Sequence, residues 1–208
     1  MDGTLVDTEP YWIEAEYALV RAHGGTWTDD HAHALVGNAL LTSADYIRQH
    51  GGVDLPSDQI VDLLLADVVR LARERMPWRP GARELIAALA QRSISCGLVT
   101  MSYQVLTDAV LEQLAPSSFA VVVTGDQVID GKPHPEAYLT AARLLDVQPA
   151  HCVAIEDSPT GIASAEAAGC VVPAVPHHVP IEAGPGRTLV PSLAEVDVAF
   201  LERMLPER

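Results

Sequence analysis

The sequence is poor in basic residues: 13 Lys and Arg stand against 28 Asp and Glu, a formal net charge of −15. A surface of that sign repels phosphate backbones, which argues against a nucleic-acid partner. No apolar run is long enough to cross a bilayer, and the opening has no basic stretch followed by an apolar one. Neither a membrane partner nor a secretory leader is therefore expected. Cysteine is scarce and odd in number: Cys96, Cys152 and Cys170 each sit in an apolar run. They are expected to be reduced, buried packing residues of a cytoplasmic protein. The Gly-rich dinucleotide fingerprint is absent. "GDQVIDGK" (125–132) fails as a nucleotide phosphate loop, because its glycines are one residue too far apart and Pro133 replaces the metal-binding hydroxyl. His31, His33, His177 and His178 have no Cys or acidic motif at ligand spacing and are read as surface or loop histidines.

What is present falls into two grammars. From Glu9 to about Met76 the apolar residues recur at helical spacing, as in "YWIEAEYALVRAHGG", "SADYIRQHGG" and "SDQIVDLLLADVVRLARERM". Ser57 or Asp58 is the expected N-cap of the last of these. "PWRPGA" then breaks the chain. Beyond it, short apolar strands at 94–100, 119–125, 152–157 and 171–175 alternate with helices. Strands apolar on both faces and alternating with helices predict a parallel sheet covered on both sides. Such sheets bind ligands at the carboxyl ends of their strands.

At those ends lie Thr100 with Ser102, then Glu156-Asp157 before a helix start, and Lys132 between Gly131 and Pro133. The opening "MDGTL" supplies Asp2, read as a strand exit into a tight Gly turn. Adjacent carboxylates at a strand exit need a cation to neutralise them, and oxygen-only ligands suit Mg²⁺. A lysine offers a point charge for phosphate, and a hydroxyl and the amides of a helix start add donors. Together the set reads as a Mg²⁺-assisted phosphoryl-transfer site.

The motifs "DGTLVDTEP", "LVTMS", "GKPHPEAY" and "AIEDSPTGIASAEAAG" resemble, in order, those of the haloacid dehalogenase-like hydrolases. The resemblance is to the branch of small-metabolite phosphatases and β-phosphoglucomutase-like enzymes with a helical cap. It implies a Rossmann-like α/β core of residues 1–8 and 79–208 and an inserted helical cap of 9–78. It implies that Asp2 is the general acid/base, its backbone carbonyl a Mg²⁺ ligand beside Glu156 and Asp157. Thr100, with Ser102, would hold the phosphoryl group, and Lys132 would steady it. "VGN" (36–38) resembles a cap element, so Gly37 and Asn38 are candidates for substrate contact. The family's nucleophile is an Asp two residues before the acid/base, and Met1 fills the position between. That Asp and the strand carrying it are not in this sequence, so the sheet is expected to lack its first, central strand. The strands ending at Thr100 and Asp157 should then lie two strand spacings apart, ~10 Å, without pairing. Asp7 cannot replace the nucleophile, because it lies five residues beyond Asp2 and past the turn.

The resemblance implies a monomeric, Mg²⁺-dependent phosphatase of small phosphorylated metabolites that works through an aspartyl-phosphate. A non-catalytic phosphometabolite-binding protein is the alternative from another class, and a β-phosphoglucomutase-like mutase is the alternative among enzymes. The mutase cap usually carries basic residues for a second phosphate; "ALVGNALLTSADY" has none before Arg48. A dehalogenase fits poorly, since that branch works without the metal.

Overall fold

Helical periodicity over the first third of the chain produces helices and nothing else among the described residues. The computed structural model describes residues 1–36, 38–182 and 187–205. It divides into two compact units, Thr8–Pro77 and Met1–Asp7 with Trp78–Arg208. The first contains α1 (Glu9–Ala22), α2 (Asp29–His33), α3 (Leu40–His50) and α4 (Ser57–Glu74). Pro10 sits in the first turn of α1, where its missing N–H costs nothing. Along α4, Ile60, Val61, Leu64, Leu65, Val68, Val69 and Ala72 form one buried stripe at helical period, and α1 and α3 pack against this helix. Each large member of that stripe contributes about 2 kcal/mol by leaving water. The expected cap of α4 is corrected: Pro56 is the N-cap residue, and Ser57 lies inside the first turn. The Ser57 hydroxyl is instead bonded to Asp45 of α3.

The second unit is α/β. It contains α5 (Ala82–Gln91), β1 (Gly97–Val99), α6 (Gln104–Leu111), β2 (Val121–Val123), α7 (Glu136–Leu144), α8 (Pro159–Ala168), β3 (Pro173–Ala174), β4 (Thr188–Leu189) and α9 (Val198–Met204). β1 and β2 pair in parallel, Leu98 opposite Val122; β3 and β4 pair in parallel, Pro173 opposite Thr188. Parallel bridges Val153–Val171 and Glu156–Ala174 attach the 152–157 segment to the second pair. Three of the expected strands are placed, each shorter than its apolar run. The expected strand at 152–157 is corrected: among the described residues that run makes only isolated bridges to 171 and 174 and no continuous ladder.

Among the described residues the two halves of the sheet do not pair with each other. Between them lies an apolar cavity of about 340 Å³, walled by Leu98 and Val99 on one side and by Val153, Ala154 and Ile155 on the other. Met1 and Tyr138 also line this space. Cys96, Cys152 and Cys170 border it too and are free thiols, but half-buried rather than fully buried as expected. No described helix is long and apolar enough to cross a membrane.

Candidate active site

The opening turn is built on one carbonyl. Met1 O accepts from the amides of Leu5 (2.7 Å), Thr4 (3.2 Å) and Val6 (3.3 Å), and Asp2 Oδ1 accepts from Gly3 N at 3.1 Å. Gly3 has φ +75°, and a Cβ there would stand 2.0 Å from Asp157 Oδ2, so both the turn and its neighbour demand glycine. Next to it, the Thr4 hydroxyl donates to Asp157 Oδ1 at 2.6 Å. The opening turn and the Glu156-Asp157 strand exit, 153 residues apart, are thereby locked together.

Thr100 follows β1 directly and is almost fully buried. Its Oγ1 accepts from Ser102 N at 3.1 Å, and its own amide donates to Val123 O at 3.0 Å, extending the pairing with β2. Lys132 joins the two halves of the sheet. Its Nζ donates to Val99 O at 3.3 Å and to Glu156 Oε1 at 2.5 Å, at the carboxyl ends of β1 and of the 152–157 segment. Glu156 Oε1 also accepts from the Tyr138 hydroxyl of α7, while Oε2 faces Gly161, where a Cβ would meet it at 2.0 Å. Ser158 caps α8 by accepting from Gly161 N at 3.1 Å.

Charge at this edge is dense and dry. Burial pushes the Glu156 carboxyl up, but the Lys132 ammonium and its hydrogen bond outweigh it and hold the group below the usual carboxylate range. Asp157 behaves oppositely: burial raises it, and the Thr4 hydrogen bond offsets only part of that rise. Tyr138 is pushed well above its ordinary value, by burial first and then by Glu156. The amino group of Met1 is lowered by burial and by Lys132, and the charges of Glu156, Asp157 and Asp2 also act on it. Met1 therefore leads the chain into the middle of this group.

The donors fit Mg²⁺ in kind, being oxygens only, and Asp157 is a half-buried acid whose ionisation a divalent cation would favour. Among the described residues the side chains of Asp2, Glu156 and Asp157 do not converge as a three-ligand cluster. Glu156 is directed at Lys132 and Tyr138 instead.

Of the candidates for substrate contact, Gly37 lies outside the described residues. Asn38 belongs to the helical unit, where its Nδ2 donates to Ala34 O at 3.0 Å. Two contributors were not singled out from the sequence. Tyr138 falls six residues after Lys132, and its signal was a tyrosine on the apolar face of a helix. Arg79, inside the "PWRPGA" break, donates to Gly3 O and, at 3.4 Å each, to Val175 O and Pro176 O. His177 and His178 lie in the loop after β3, as expected, and both also face Asp7, at 3.1 Å and 2.8 Å. Sequence spacing could not show this, because Asp7 is 171 residues from His178. His31 lies in α2 with its ring 4.8 Å from that of Trp27.

Residues 1–169 match the family described as haloacid dehalogenase-like hydrolase. The chain belongs to that family. Among its curated relatives is the validoxylamine A 7′-phosphate phosphatase of Streptomyces hygroscopicus subsp. limoneus, 34% identical over 81% of this chain and 79% of the relative. Hexitol phosphatase B of Escherichia coli is 32% identical over 84% of this chain and 81% of its own length. Among solved structures, CbbY from Rhodobacter sphaeroides in complex with phosphate superposes with a TM-score of 0.87 at 28% identity, covering 97% of this chain and 96% of that one. The haloacid dehalogenase-like fold explains why chemistry-bearing residues from four separated stretches meet at one sheet edge: that edge is where parallel strands end.

Proposed function

We propose that this hydrolase cleaves phosphoric monoesters of small, sugar-like metabolites with Mg²⁺ as its cofactor. The observation that carries the reading is Lys132, whose ammonium spans Val99 O and Glu156 Oε1 beside Asp157. A cation fixed at that point, with the Thr100 hydroxyl at the next residue of the chain, is a receptor for a phosphoryl group. The relatives support the class of substrate, since they are named as phosphatases of a hexitol and of a validoxylamine phosphate. Bound Mg²⁺ would neutralise phosphoryl oxygens beside Asp157 and the Asp2 carbonyl. Asp2 would deliver a proton to the leaving oxygen and later withdraw one from water. Thr4 holds Asp157 in place by its 2.6 Å bond, and Glu156 holds Lys132. Arg48, the first basic residue after "VGN", lies 3.8 Å from Asp45, so it is engaged within its own unit. That favours hydrolysis over transfer to a second phosphate site.

The test concerns the carboxylate nucleophile. A polypeptide of residues 1–208 alone should hydrolyse sugar phosphates only at background with Mg²⁺, since a site without a covalent nucleophile is slower by several orders of magnitude. Adding at the amino end a short apolar strand that ends in Asp should create Mg²⁺-dependent turnover. It should also raise the melting temperature, because five apolar side chains placed in the cavity are worth about 10 kcal/mol. Asn in place of the added Asp should keep the thermal gain and lose the turnover. A chain that melts higher yet hydrolyses no ester of a broad panel would overturn the proposal in favour of a phosphometabolite-binding protein.

A further inference from the structure

Asp7, His177 and His178 come from widely separated stretches of the α/β unit. Asp7 follows the opening turn, while the two histidines follow β3 immediately after Val175 and Pro176. Their candidate ligand atoms all lie within 4.8 Å of one another. His178 Nε2 is 2.8 Å from Asp7 Oδ1, and His177 Nε2 is 3.1 Å from Asp7 Oδ2. The imidazole rings lie 3.9 Å apart, so both present the same nitrogen to the same carboxylate. Four ligands at ~2.0–2.1 Å from a tetrahedral ion are spaced ~3.3 Å from one another. The two separations, 2.8 Å to Oδ1 and 3.1 Å to Oδ2, run to different oxygens of the Asp7 carboxylate and lie near that length. His177 Nε2 is shut off from solvent and has the Asp7 carboxylate, at 3.1 Å, as its polar neighbour. A buried ring nitrogen needs such a partner, a carboxylate or an ion, to offset its lost hydration.

We propose that Asp7, His177 and His178 bind one divalent transition ion of the zinc class, at a site separate from the Mg²⁺ site. Two imidazoles and one carboxylate are a borderline donor set. They suit Zn²⁺, Co²⁺ or Ni²⁺ and discriminate against Mg²⁺, which takes oxygen ligands. With only three protein ligands the ion keeps a position for water, so the site is exchangeable rather than a closed structural one. Arg79 is a nearby cation on which the Asp7 charge acts. Its guanidinium, however, is engaged by the carbonyls of Gly3, Val175 and Pro176, and the chain as a whole carries a net charge of −15. The other three-residue cluster, Asp130, His134 and Glu136, is a weaker competitor. It offers one imidazole, and Glu136 is committed to the amides of Ile129 and Asp130 at 2.9 Å each. An ion at the first cluster ties the end of the opening turn to the segment after β3. It thereby braces the frame from which Asp2 and Thr4 project.

Titrating the full chain with ZnCl₂ in excess MgCl₂ tests this, with heat of binding and melting temperature as readouts. One saturable site of about 10 µM affinity or tighter is expected, with a higher melting temperature that Mg²⁺ alone does not produce. His177→Gln with His178→Gln, or Asp7→Asn alone, should weaken that site about 100-fold or more; His134→Gln should leave it unchanged. Because these variants can lose stability, X-ray absorption of the wild-type chain loaded with one equivalent of Zn²⁺ supplies an independent reading. Two imidazoles in the ligand shell support the proposal. One or none, no saturable binding below the millimolar range, or a site lost in His134→Gln overturns it.

Discussion

Glu156 in the α/β unit and Glu16 in the helical unit are buried alike, 4% and 5% exposed, yet their charges have opposite fates. Glu156 receives an ammonium and a phenol, from Lys132 and Tyr138, and is held below the ordinary carboxylate range against the cost of burial. Glu16 receives the Trp27 indole N–H at 3.2 Å. Burial pushes its pKa up to about 8; the indole offsets part of that, and Glu9 adds to the rise. One neutral donor cannot replace the hydration of a carboxylate, whereas a full opposite charge at 2.5 Å can. Burial alone therefore says nothing about function. The partner does, and only the α/β unit spends a buried cation on its glutamate.

The comparison sets opposite pH responses for the two units. The folded-state pKa of Glu156 is depressed, so its contribution is present above the unfolded value near 4.5 and is lost as pH falls through the folded value. The folded-state pKa of Glu16 is raised, so its contribution is intact below about 4.5 and is lost as pH climbs toward about 8. Through Glu156, falling pH weakens the α/β unit, and through Glu16, a rise from about 4.5 to about 8 weakens the helical unit.

The largest effect should come from Lys132→Met, which strands Glu156 in the interior. Breaking a buried pair from one side costs about 3–5 kcal/mol. Urea unfolding should show that loss, and adding Glu156→Gln should recover much of it; a purely additive double variant would dissolve the contrast with Glu16. Glu16→Gln comes next. It imitates the protonated acid, so it should raise the melting temperature by several degrees at pH 8 and leave it unchanged at pH 4. An equal gain at both pH values would show that Glu16 is not carrying a pH-linked cost. Tyr138→Phe is the smallest change. It removes one donor to a charged acceptor while Lys132 remains, an expected loss of about 1.5–3 kcal/mol. The loss should shrink on acidification as Glu156 takes up a proton, which melting curves from pH 7 downward would show.

Much of this protein was legible in residue order. The α4 stripe is a period that a helix must bury, and the apolar run before Thr100 is a strand while the one before Asp157 reaches the sheet only through isolated bridges. Gly3 marks a tight turn, and Ser158 before Pro159 is a helix start. Residue types with local meaning could therefore be assigned before any contact was known. What only the tertiary structure decided are pairings across long sequence separations: Thr4 with Asp157, Lys132 with both halves of the sheet, Arg79 with the opening turn, and Asp7 with His177 and His178. The same holds for the division of labour at the strand exit, where Glu156 turns to Lys132 and Asp157 to Thr4. Sequence fixes which groups can ionise and donate. Which of them face each other depends on how the strand ends are brought to one edge, and that is set by packing over the whole unit rather than by any local stretch.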